Sequence, residues 1–395
     1  MNDRTPPEQA EEFSLFLGGP LYQLFIRLGL IKPPLDRLRW RLIVITAIVW
    51  APLFVLTLLD GRFLGGVKVP FLRDFEVQAR LLAAIPLLIA AEVVIHARTT
   101  AMIRQFRGRQ IVTDALESRF HGITESAMRI RNSIPLEIGI AVFVVAIGRL
   151  TWQGLTALDS DTWYATMVAG TRTNTPAGIW YQFVSVPISQ FIWLRWIVRL
   201  ALWWRFLWQV SRLELNLVPT HPDRCCGLGF LDGTAFAMAP FLLAHSALLS
   251  GYLGNRILWE GAKLPDYYPE IGALAIFLFA VTLGPLCVFT PGLLRARLQG
   301  LARYGTLASD YVNAFDRKWI RGERPADEPL VGSADIQSLA DLGNSFSVVQ
   351  AIIPFPFGRS TLVGLVVFIA LPLLPLALTM FSAKEILARL IQVIL

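Results

Sequence analysis

Long apolar runs alternate with arginine-rich polar stretches from about residue 40 onward. Seven of these runs approach or exceed the ~20 residues that a helix needs to cross a hydrocarbon core. They predict spans at about 42–59, 80–96, 134–156, 178–217, 230–253, 271–294 and 360–381. The fourth run is longer than a bilayer is thick. Its first half is apolar around Pro187, and its second half interleaves Trp193, Trp196, Trp203, Trp204 and Trp208 with Arg195, Arg199, Arg205 and Arg212. Indole rings and snorkelling guanidinium groups both suit the headgroup zone. This helix is therefore expected to leave the hydrocarbon near Arg199 and to stop at Pro219 and Pro222. Pro285 and Pro291 read as kinks in the sixth span. The predicted fold class is all-α: a polytopic transmembrane helical bundle of about seven spans, with amphipathic interfacial helices and helical cytoplasmic extensions.

Residues 1–41 read as a polar tail followed by a helix, Leu21–Leu30, lying in the interface, and 42–395 as the bundle. Three polar segments, 98–133, 200–229 and 295–359, are expected on the cytoplasmic side. In the first, Ile103, Phe106, Ile111, Ala115, Phe120 and Ile123 recur at helical spacing. In the third, helical character runs to about Arg321 and a turn region follows. Trp152, Trp163 and Trp180 flank an outer loop and fit an aromatic belt. The chain closes on an amphipathic segment, 383–395.

Composition agrees with this picture. Of 395 residues, 54% are hydrophobic and 16% charged, below the ~25% charged of a soluble domain. The net charge of +7 is a topology signal. Of 36 Lys and Arg residues, 26 fall on segments that alternate to one side, 9 on the other, and Arg149 within a span. Arginine excess marks cytoplasmic segments. The amino terminus is thus expected inside and the carboxyl terminus in the periplasm. The acidic residues 1–12 lack the basic start of a signal peptide. Basic residues dispersed along membrane borders argue against nucleic acid, and the lipid bilayer is the expected partner.

Ionisable groups inside spans cost on the order of 2.5–3.5 kcal/mol each and usually face partners. Counting residues at ~1.5 Å rise puts Glu92, Glu137 and Arg195 on one level. A carboxylate of this set paired with Arg195 is a plausible clamp between helices. His96 follows Glu92 by four residues, on the same helix face. Arg149 and His245 fall on a second, outer level and are candidates to line a wet passage. Asp232 stands at its entry.

Thr220–Leu231 reads T-H-P-D-R-C-C-G-L-G-F-L. It holds His221, Asp223, Arg224, Cys225, Cys226, Gly227 and Gly229. Adjacent cysteines chelate one tetrahedral ion poorly and no second ligand pair stands nearby, so neither a metal nor another cofactor is expected. Two prolines and two glycines predict a sharp structural break, with a cytoplasmic hinge or mouth as the functional version. The stretch H-P-D-R-x-x-G-L-G-F-L after a tryptophan-rich helix resembles a segment of uncharacterised bacterial multi-pass inner-membrane proteins, with Cys226 in place of an expected glycine. That resemblance implies a bacterial inner membrane and no particular activity.

Phosphate-loop, zinc-protease, nucleophile-elbow and dinucleotide fingerprints are absent from the sequence. The leading expectation is a non-enzymatic channel or transporter for anions or a proton-linked solute. One alternative is an anchor or sensor whose basic helices recruit a cytoplasmic protein partner or anionic lipid. Another is a membrane enzyme acting through His221 and Asp223. Ser246, Ser250 and Gly254 offer a close-packing face for internal contact or for a homo-oligomer.

Overall fold

The computed structural model describes residues 14–16, 18–20, 38–155, 162–168, 171–323, 325, 328–329 and 332–377. The expected interfacial helix Leu21–Leu30 and the amphipathic segment 383–395 lie outside these residues. Six helices are long and apolar enough to cross a membrane: α1 Leu38–Leu59, α2 Phe75–Gly108, α5 Pro176–Ser211, α6 Leu228–Glu260, α7 Leu264–Cys287 and α10 Arg359–Ala377. The chain is a multi-pass helical membrane protein. Between them stand α3 Asp114–Arg131, α4 Ile134–Leu155, α8 Thr290–Phe315 and α9 Ala334–Gln350. The side chains of α4 are described as far as Ala146.

Contacts between loops sort the bundle into two ends. At one end, Trp163 Nε1 donates to Asp74 Oδ2 at 2.8 Å and Asn255 Nδ2 donates to Asp74 Oδ1 at 2.8 Å. At the other, Asn216 N–H donates to the Ile111 carbonyl at 2.9 Å and Ile353 N–H to the Arg224 carbonyl at 3.0 Å. Arg205 of α5 donates to the Ser126 hydroxyl of α3 at 3.3 Å, which keeps α3 toward this second end, and α4 runs from there toward residue 163. Its 22 residues reach about 33 Å, enough to cross.

Local chemistry explains several helix starts. Asp74 caps α2 by accepting from Val77 N–H at 3.1 Å. Thr175 caps α5 by accepting from Gly178 N–H at 3.0 Å, with Pro176 at the first helical position. Ser333 caps α9 through Asp335 N–H. Both α2 and α5 widen into a π-type turn, at Ala79–Ala84 and Tyr181–Ser185, and a proline follows each at Pro86 and Pro187. A proline cannot donate to the preceding turn, and the extra residue in the widened turn absorbs that defect.

Several expectations are corrected. The fourth long helix ends at Ser211, not Leu217: R-L-E-L-N-L-V over 212–218 alternates polar and apolar and leaves the helix in successive tight turns, Leu215 N–H bonding the Leu213 carbonyl at 2.9 Å and Leu217 N–H the Leu215 carbonyl at 3.0 Å. Pro291 does not kink the sixth span; that helix ends at Cys287 and Pro291 begins α8. The region after Arg321 contains a helix, α9, packed on α8. On α3 it is Leu116, not Ala115, that turns inward with Phe120. Trp163 is no belt residue: it is fully buried. The outer loop also folds a small hairpin, Ala165–Val168 with Thr171–Asn174, in antiparallel register Ala165 to Asn174. In the apolar stretch that precedes Gly18, Leu15 and Phe16 are buried, the Phe16 ring lying 5.7 Å from Trp196 and 6.2 Å from Trp203.

Candidate functional site

Three constellations carry the chemistry. The first is an ion cluster joining four helices. Glu92 on α2 is buried; its Oε2 accepts from Arg41 of α1 at 2.7 Å and its Oε1 from Arg199 of α5 at 2.5 Å. Arg195 lies 3.9 Å from Glu92 and 3.6 Å from Glu137 of α4. The expected common level of Glu92, Glu137 and Arg195 is thus real. Sequence reasoning missed Arg41 and Arg199, treating both as border charges. Mutual pairing suits a clamp: every acid in the cluster faces a guanidinium group. His96 is half-buried one turn further along α2, its Nδ1 3.4 Å from Thr100 Oγ1.

The second is a cavity of about 490 Å³ between α2, α5, α6 and α7, reaching from the hairpin end into the bundle. Its walls are largely apolar, with Leu88, Leu248 and Leu274 among them. Polar groups enter from three helices: Glu76, Arg80, Gln190, Trp193, His245 and Tyr252. Arg80 donates to Glu76 at 2.7 Å and to the Tyr181 hydroxyl at 2.9 Å, so its charge is balanced on the spot. His245 is held twice. Trp193 Nε1 lies 3.0 Å from its Nε2, and its Nδ1 lies 2.8 Å from the Phe241 carbonyl. The amide oxygen of Gln190 is buried and meets no donor among the described residues. One π-type turn lines this cavity with Arg80 and Ala84, and Val186, which also lines it, directly follows the other. Widened turns of this kind are frequent at functional sites. A cavity of several hundred Å³, mostly apolar with a few converging polar groups, is the usual form of a small-molecule site.

His245 lines this cavity, but Arg149, expected to line a wet passage with it, lies in the part of α4 where only the backbone is described. Glu76, Arg80 and Gln190 were not anticipated. Glu76 and Arg80 at i and i+4 were the available signal, one turn inside a helix start.

The third constellation is the Thr220–Leu231 turn. The Asp223 carboxylate accepts three main-chain N–H groups, from Cys225 at 2.8 Å, Gly227 at 3.1 Å and Gly229 at 2.8 Å. His221 Nδ1 stands 2.9 Å from the same carboxylate. Burial pushes the Asp223 carboxyl up, but these donors outweigh it and hold the group below its usual range. Arg224 and Cys226 take positive φ, +55° and +54°, and Gly227 has φ +98°. Cys226 adopts a conformation that glycine adopts more easily, the residue expected there from the resemblance. Both thiols are buried, which together with the Asp223 charge pushes them up to about 12. Arg109 reaches the Gly227 carbonyl at 3.5 Å, and Ile353 N–H bonds the carbonyl of the exposed Arg224. The turn therefore ties residues 109–112, 212–229 and 351–357 together. Asp232, at the start of α6, accepts from the buried Thr361 hydroxyl of α10. His221 and Asp223 form a main-chain staple, with the carboxylate's acceptor sites occupied.

Ser246 and Gly254 face inward rather than outward. The tightest approach is at Gly251, where a Cβ would stand 2.6 Å from both Ala79 Cβ and the Phe75 carbonyl oxygen. This face serves the packing of α6 on α2.

Compared with known proteins, the chain matches no family model, no curated protein sequence and no solved structure.

Proposed function

We propose that this membrane protein is a transporter of a small amphipathic solute, bound in the cavity between α2, α5, α6 and α7. The observation that carries the reading is a cavity of about 490 Å³ whose largely apolar wall gathers a few polar groups, among them Gln190, Trp193, His245 and the Glu76–Arg80 pair. Such a wall buries the apolar body of a small ligand while its few polar groups fix the orientation. Among the described residues the formal charges at the wall are those of Glu76 and Arg80, which neutralise each other. A neutral or zwitterionic solute with an apolar body therefore fits better than a bare anion. Proline-broken, π-widened helices flank the cavity, and irregular backbone at membrane depth is tolerated where it lines a cavity. In this reading the arginine-rich end faces the cytoplasm of a bacterial cell, and the cavity belongs to the periplasmic half.

Uptake into proteoliposomes tests it with three probes of similar size: phenylalanine, benzoate and benzylamine. Phenylalanine is expected to enter fastest, and Gln190→Leu and Leu248→Trp are each expected to slow it roughly tenfold. Absence of flux for all three, or flux unchanged in both variants, would defeat the proposal.

A further inference from the structure

A larger cleft opens at the arginine-rich end, apart from the cavity above. It measures about 960 Å³ and lies between the irregular segment at 211–219 and α8 as far as Leu307. Arg212, Arg295 and Arg303 line it, all exposed, against the single carboxylate of Glu214. Arg212 is stacked on Trp208 at 5.3 Å, and Arg295 Nε donates to the Pro291 carbonyl at 3.2 Å. Both side chains are therefore oriented without losing their charge. Arg303 makes no hydrogen bond or ion pair among the described residues. Beneath the rim the lining turns apolar, with Leu213, Leu217 and Phe289, while Tyr304 and Gln299 add hydroxyl and amide groups.

The level of this cleft decides its ligand. Helix α7, whose 24 residues match the thickness of a bilayer, ends at Cys287, and the cleft begins two residues on, at Phe289; α5 is longer than a bilayer is thick and carries Arg212 past that border. The cleft therefore stands where the hydrocarbon gives way to headgroups. We propose that the cleft is a headgroup site for an anionic phospholipid, with the phosphate between Arg212 and Arg303 and the glycerol against Leu217 and Phe289. Basic pockets at this depth recognise anionic lipid, and an arginine fork donates two parallel hydrogen bonds to a phosphate.

The test uses the full chain in nanodiscs of phosphatidylcholine, with and without phosphatidylglycerol, and counts retained lipid by native mass spectrometry. Wild type is expected to retain phosphatidylglycerol selectively, and R212Q/R303Q to lose that preference roughly tenfold. A control pair at the same end, R119Q/R129Q, is expected to keep it. Should R212Q/R303Q prove unstable in thermal unfolding, Gln299→Trp fills the cleft instead and is expected to give the same loss. Equal retention in wild type and the cleft variants overturns the proposal, as does an equal loss in the control pair. Binding of soluble glycerol phosphate in phosphatidylcholine nanodiscs, at the affinity found for the lipid, also overturns it by assigning the cleft to a soluble phosphate ester.

Discussion

The indole N–H of Trp193 points at Nε2 of His245 over 3.0 Å, while Nδ1 of the same ring faces the Phe241 carbonyl at 2.8 Å. An indole only donates and a carbonyl only accepts. The imidazole is thereby held neutral, with its proton on Nδ1, and its Nε2 is occupied. This favours a positioning role for His245 in the cavity wall over proton transfer.

Removing the donor tests that arrangement. Trp193→Phe is expected to free Nε2 and to raise the rate of diethylpyrocarbonate modification at His245 roughly tenfold, read by mass spectrometry of the peptide. The other three histidines are internal standards.

The ion cluster around Glu92 makes a stability prediction. Glu92→Gln leaves Arg41 and Arg199 facing a neutral amide in a buried place. Breaking a buried pair costs about 3–5 kcal/mol, and thermal unfolding in detergent is expected to shift down accordingly. Glu137→Gln, whose partner Arg195 keeps Glu92 nearby, is expected to cost less.

Asp223 predicts an acid dependence. Its folded carboxyl lies below the unfolded value, so it contributes stability above the ordinary Asp range that is lost as pH falls through the folded value. Asp223→Ala removes the acceptor of three N–H groups. It is expected to cost about 1–3 kcal/mol at neutral pH and to flatten the acid limb of the stability curve. An unfolding series from neutral pH down to pH about 3 checks both.

The thiols provide a prediction about labelling. With Cys225 and Cys226 buried and pushed up to about 12, the thiolate fraction at pH 7 is on the order of 10⁻⁵. Maleimide is expected to leave them unmodified from either side of the membrane. Cysteines introduced at exposed Asp60 and Arg119 are expected to react from opposite sides, and reaction of both from one side would refute the alternation of ends.

Packing of α6 on α2 is expected to be sensitive at one point. Gly251→Val brings methyl groups onto the Phe75 carbonyl and Ala79, and overpacking of this kind costs about 1–3 kcal/mol. Gly254→Ala, with its nearest neighbour at 3.5 Å, is expected to be tolerated.

The candidate sites differ in how far they could be read in advance. Depth counting put Glu92, Glu137 and Arg195 on one level because rise per residue is constant in a helix. It passed over Arg41, which stands just outside the expected first span and 51 residues from its partner. The non-helical run at 212–218 was legible in its two-residue alternation, which the preceding tryptophan-rich helix masked. Helix α9 had only its Ser333–Asp335 cap as a signal, since Val349 is its one buried residue. Trp163 matched a belt by position, and only its hydrogen bond to Asp74 reveals a core residue.

Hydropathy and arginine placement alone determined the helical membrane architecture and which segments share an end of the bundle. In hydrocarbon each span must satisfy its own backbone hydrogen bonds, so length and apolarity suffice to mark it. Which helices adjoin was decided by the tertiary structure alone. The cavity at Gln190, the double hold on His245 and the staple at Asp223 each depend on side chains meeting across helices or turns, a relationship that one-dimensional polarity does not record.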